Sequence, residues 1–72
     1  MLSETHILDG VIKNFNEECL HGSVCCFLDY STINEGYYRL YLNDKELMEG
    51  DQVEVVECVK QMCRERGIPN EN

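Results

Sequence analysis

The stretch Asp51–Arg66, DQVEVVECVKQMCRER, constrains this chain more than any other. Wound as a helix, it places Val55, Val56, Val59, Met62 and Cys63 on one side at i, i+1, i+4, i+7 and i+8. That is the stripe of an amphipathic helix lying on a core. Valine by itself favours strands, but the stripe continues over more residues than a strand normally spans. The ends agree with the middle. Asp51 and Glu54 have the spacing of a reciprocal capping box, and Arg64 and Arg66 complement the negative end of the helix dipole. Gly67 followed by Pro69 is a stop signal. The pattern predicts a helix over about residues 51–66.

A second helical pattern covers about residues 4–20. Ile7, Leu8, Val11, Ile12, Phe15 and Cys19 share a face, while Glu4, Asp9, Lys13, Asn14, Asn16 and Glu17 fall elsewhere. Ser3 or Thr5 can cap its start and Gly22 can end it. Gly10 opposes it, at about 0.8–1.0 kcal/mol relative to alanine. Between the helices, residues 23–31 read as a strand, with Val24, Cys26, Leu28 and Tyr30 facing one way and Cys25, Phe27 and Asp29 the other. Thr32–Gly36 supplies turn residues. Tyr37–Leu42 is a second strand, with Tyr38, Leu40 and Leu42 inward and Tyr37, Arg39 and Tyr41 outward. Asn43–Lys45 is a turn, residues 46–48 a short edge strand, and Gly50 a turn position. The order α-β-β-(β)-α predicts a single α+β domain over residues 1–72. Each element has one apolar face, so the expected architecture is a two-layer sandwich with both helices on one face of a short antiparallel sheet. The opposite sheet face is then open to a partner or to a second copy.

Two phrases suggest a different architecture. Gly10–Glu18, GVIKNFNEE, is similar to the first strand of cold-shock domains, and Glu49–Val56, EGDQVEVV, to their fourth; Gly22 falls where such domains carry a glycine in their first nucleic-acid motif. The phrases cover under a quarter of the chain. The resemblance implies a small OB-like β-barrel that binds nucleic acid. It departs from the family at Leu20–Val24, which lacks both base-stacking phenylalanines, and at Tyr37–Leu42, which is displaced from the second motif.

Charge weighs against that alternative. Fourteen acids against six bases leave −8 on 72 residues, a field that repels phosphate and attracts basic surfaces. Five cysteines, an odd number, with no secretory leader pattern in MLSETHILDG, read as reduced thiols and a cytoplasmic location. No apolar run approaches the length of a membrane span.

Groups able to carry chemistry are few. Cys19, His21, Cys25, Cys26, Cys58, Cys63 and His6 are candidate metal ligands, yet no CxxC pair occurs, and Cys58 and Cys63 lie about 140° apart around a helix. No metal and no cofactor is expected. Acidic surroundings raise a thiol's pKa and weaken any Cys–His nucleophile. Phosphate-cradling loops, HExxH and paired-carboxylate motifs are missing, so no catalytic residue is assigned and a non-enzymatic role is expected.

Two groups point to partner binding instead. Tyr37 and Tyr41 flank Arg39 on the outward side of a strand, and tyrosine and arginine are enriched at interface hot spots. Asp44, Glu46, Glu49, Asp51, Glu54 and Glu57 then place six acids within fourteen residues, with Lys45 the one base. Of these, Asp44, Glu46, Glu49, Glu54 and Glu57 are candidate contacts to a basic protein surface, and Asp51 serves the helix start. The function expected is that of an inhibitor or adaptor acting on a nucleic-acid-handling enzyme through an acidic strip. Small acidic inhibitors of host defence encoded by phages are of this size and charge, an analogy of type. The other readings are the cold-shock-like nucleic-acid module and a homodimeric regulatory or structural subunit joined through its tyrosine-bearing face.

Overall fold

A computed structural model of the chain describes residues 6–21 and 27–68. Five elements follow in the order α1 (His6–His21), β1 (Leu28–Asn34), β2 (Tyr37–Leu42), β3 (Lys45–Asp51) and α2 (Gln52–Arg66). The strands form an antiparallel meander with β2 in the centre. Both helices pack on each other and on one face of that sheet, sharing a single core with it. The sheet does not close on itself, so the barrel is not the fold. The two cold-shock-like phrases lie elsewhere than in barrel strands: Gly10–Glu18 is inside α1, and Glu49–Val56 runs from the end of β3 into α2.

Helix α2 takes the form its sequence dictates. Asp51 stands in extended backbone as N-cap; its Oδ1 accepts from the Glu54 N–H at 2.9 Å, while Glu54 Oε1 accepts from the Asp51 N–H at 3.1 Å. At the other end Gly67 adopts φ 70°, which lets the Ile68 N–H reach the Cys63 carbonyl at 2.9 Å. All five stripe residues are buried. They meet Leu8, Val11, Ile12, Phe15 and Cys19 of α1 and Leu28, Tyr38 and Leu40 of the sheet. Each fully buried Leu, Val or Phe contributes about 1.5–3 kcal/mol by removal from water. Arg66 closes the rim, its guanidinium 5.5 Å from the Phe15 ring centre. Ile7 departs from the expected stripe. It sits in the first turn of α1 and is 57% exposed, because the buried face is centred on Leu8, Ile12 and Phe15.

The strands depart further from the sequence pattern. The expected first strand over residues 23–31, with a turn at Thr32–Gly36, is instead β1 over Leu28–Asn34 with the two-residue turn Glu35–Gly36, Gly36 at φ 76°. Ile33 is the cause: it is an extra residue between the pairs Thr32↔Tyr38 and Asn34↔Tyr37, and this bulge carries the strand up to its turn. Residues 22–26, with the expected facing of Val24, Cys25 and Cys26 and the stop at Gly22, lie outside the described residues, as do the candidate caps Ser3 and Thr5. The third strand is longer than the expected 46–48. It spans Lys45–Asp51 and pairs along all of β2, with a second bulge at Glu46–Leu47 opposite Tyr41. The β2–β3 turn is Asn43–Asp44, both at positive φ (52° and 70°), the type I′ geometry that suits strand twist. Gly50 is a strand residue and not a turn residue. A Cβ there would collide with the Glu54 carboxylate, so the glycine makes room for the capping box.

Candidate partner-binding face

Alternation along β2 separates two environments. Tyr38 and Leu40 are buried under the helices, and Tyr38 meets Tyr30 edge-on at 5.8 Å. Tyr37, Arg39 and Tyr41 project from the opposite face, which no described element covers. Pairing places Asp29 and Glu46 beside Tyr41, Ser31 and Glu49 beside Arg39, and Asn34 and Asp51 beside Tyr37.

Arg39 is the hub of this face. Its Nη2 and Nε each lie 3.0 Å from Glu49 Oε1, and its Nε is 3.7 Å from Glu46 Oε2. The Tyr41 hydroxyl and the Glu49 carboxylate beside it raise the already high pKa of the guanidinium. Ser31 Oγ donates to the Tyr41 hydroxyl at 3.3 Å. That bond, and then the neighbouring Arg39, favour the phenolate and lower the Tyr41 pKa. Asp29, Glu46 and Glu49 put three carboxylates on the face against one guanidinium, so it stays negative after internal pairing. Leu47 adds a 43%-exposed apolar side chain at the bulge, and Tyr37 is 39% exposed at the other end.

The expected site residues are divided by this geometry. Glu46, Glu49, Tyr37, Arg39 and Tyr41 share the open sheet face. Asp44 sits at the tip of the β2–β3 turn. Glu54 is committed to the capping box, so its carboxylate serves the helix. Glu57 is exposed on α2, in the helical layer. Sequence reasoning missed three residues. Alternation already sets Asp29 opposite Leu28 and Tyr30, but the β1 register that brings it beside Tyr41, and Ser31 beside Arg39, is not displayed by the sequence. Asn16 falls off the apolar face of α1, and its side-chain amide clasps the backbone of Leu28, donating to the carbonyl at 2.9 Å and accepting from the N–H at 2.7 Å. Asparagine is a poor helix-interior residue, and that mismatch was the available signal.

Other candidates carry less. Cys19, Cys58 and Cys63 are thiols held in no disulfide. Burial pushes the Cys63 thiol up against the opposing pull of Arg66 and Arg64, and burial with Glu65 raises Cys58. Among the described residues no group of three His, Cys, Asp or Glu is placed to hold a metal ion; Cys25, Cys26 and the side chains of His6 and His21 are not among them. A shallow cavity of about 340 Å³ is lined by Gly36, Tyr38, Asp51, Gln52 and Val53. No described helix is long and apolar enough to cross a membrane. Comparison with protein-family models, curated proteins and solved structures finds no match to this chain.

Proposed function

We propose that this protein is a non-enzymatic binding module whose open sheet face docks on a basic surface of another protein, as an inhibitor or adaptor of a nucleic-acid-handling enzyme. The observation that carries the reading is the face itself. Tyr37, Arg39 and Tyr41 stand uncovered in a row, and Asp29, Glu46 and Glu49 around them outnumber the one cation. Pre-paired Arg39 and Glu49 hold the face in shape, which lowers the ordering cost on docking. The remaining negative charge steers a basic partner and competes with nucleic acid for its groove. A homodimer through the same face would bring like charge against like, on bodies of −8 each. Asp44 and Glu57 lie beyond the face and contribute to steering.

Affinity capture from the source cell tests the reading. The captured protein should be a basic nucleic-acid-binding enzyme, eluted by moderate salt and displaced by oligonucleotide. The double variant Glu46→Gln, Glu49→Gln should capture at least tenfold less of it, whereas Glu57→Gln changes capture little. Equal capture by the double variant, or direct oligonucleotide binding by the protein at low salt, would defeat the proposal.

A further inference from the structure

Both edges of the sheet are closed at one end and leave an outward residue unbonded among the described residues, Thr32 on β1 and Glu49 on β3, and it is Glu49 that stands with Glu46 on the acidic open face. On β1, Leu28 turns its backbone outward and the Asn16 amide occupies both of its groups. The Tyr30 N–H, the next outward donor, is taken by Asp29 Oδ1 at 2.8 Å. Antiparallel strands alternate between residues bonded to one neighbour and residues bonded to the other. With Leu28 and Tyr30 facing out, Arg39 and Tyr41 bond to β1, and Tyr38 and Leu40 bond to β3. On β3 the partners of that second set, Met48 and Gly50, face the ladder. Glu49, opposite Arg39, therefore turns its N–H and C=O to the outer edge. Asp51, the next outward donor, is held by Glu54 Oε1. Among the described residues none bonds the outward groups of Glu49. The bulge at Glu46–Leu47 ends the regular edge, which fixes where a new strand could register.

An open edge accepts another strand, and its side chains decide which one. Two copies joined antiparallel about Glu49 would set Glu49 beside Glu49, and like charges directly opposite are destabilising. A strand bearing lysine or arginine at alternate positions meets Glu46 and Glu49 with opposite charge instead. We propose that the β3 edge at Glu49 receives an extended basic strand of the partner, by main-chain pairing, with its cationic side chains on the open-face side. This rests on the docking role proposed above and adds a backbone geometry to it.

The probe is an octapeptide of alternating lysine and threonine, compared with its analogue N-methylated at every backbone nitrogen. The two carry equal charge, but only the first can pair as a strand. The proposal expects the parent peptide to bind at low salt at least tenfold more tightly than the analogue, with the Glu49 amide newly protected from hydrogen exchange. Equal affinity of the two peptides overturns strand addition while leaving the charge-driven docking reading intact. Protection at the β1 edge in place of Glu49, or no binding of either peptide, also overturns it. The docking reading fails separately, through unchanged capture by the Glu46→Gln, Glu49→Gln variant.

Discussion

Replacing Gly10 by alanine should make this protein more stable. Gly10 lies in the first half of α1, exposed, and a Cβ built there meets no heavy atom within 4 Å. Its φ is not in the left-handed region, so alanine adopts the same backbone without strain. Nothing offsets the helix-propensity difference, and the full gain of about 0.8–1.0 kcal/mol should appear. A 72-residue domain has a total stability of about 4–11 kcal/mol, so the change is readily measured. The expected effect is a rise of about 4–8 °C in Tm by far-ultraviolet circular dichroism. In urea the midpoint should rise by roughly 1 M at an unchanged slope of about 1 kcal/mol/M, because the surface exposed on unfolding is the same. The sign discriminates between architectures. In a cold-shock-like barrel Gly10 opens the first strand, and alanine there would bring no helix-propensity gain. A lower Tm, or none of the rise, would refute the helical assignment of Gly10 and the packing of α1 built on it.

Three further outcomes are expected. Asp51→Ala should cost about 1 kcal/mol and Glu54→Ala less, while the double variant should cost less than their sum, since one box serves both; strict additivity by urea denaturation would show that the box is not formed. In a spectrophotometric titration Tyr41 should ionise below the ordinary phenol range, and both Ser31→Ala and Arg39→Gln should move it back toward that range; an unmoved titration removes the hydrogen-bonded cluster on the face. Burial raises the Cys63 and Cys58 thiols in the folded chain, so their contribution is complete below the unfolded thiol value of about 8.5 and is lost as pH rises through the higher folded values. Unfolding free energy should therefore fall across that alkaline window, less steeply in Cys63→Ala, and a slope unaffected by that substitution would argue against the buried thiol.

What could be read in the sequence was what residues decide locally. The α2 stripe, the Asp51–Glu54 box and the Gly67 stop all depend on spacings within one helix, and each is present. Inward Tyr38 and Leu40 followed from simple alternation. The first and third strands were misjudged because Ile33 and Leu47 are bulged, and a bulge breaks the period of two on which strand boundaries are inferred. Gly50 was misread because its requirement comes from Glu54 reaching back over it, a contact between two elements. The acidic run from Asp44 to Glu57 was visible as a run, but its division was not. Chain direction changes at Asp51, so Glu46 and Glu49 go to the sheet face, Glu54 to the cap and Glu57 to the helical layer. Alternation set Asp29 opposite Leu28 and Tyr30, but the pairing that puts it beside Tyr41, and Ser31 beside Arg39, is a register that no local pattern fixes.

The most direct test of the open face as the working surface is hydrogen–deuterium exchange of this protein with and without its captured partner. The account predicts slowed exchange over Tyr37–Tyr41 and Leu47–Glu49, with α1 and the outer side of α2 unchanged. Slowed exchange confined to α1 or to the Glu57 side of α2, with Tyr37–Tyr41 exchanging as in the free protein, would contradict it.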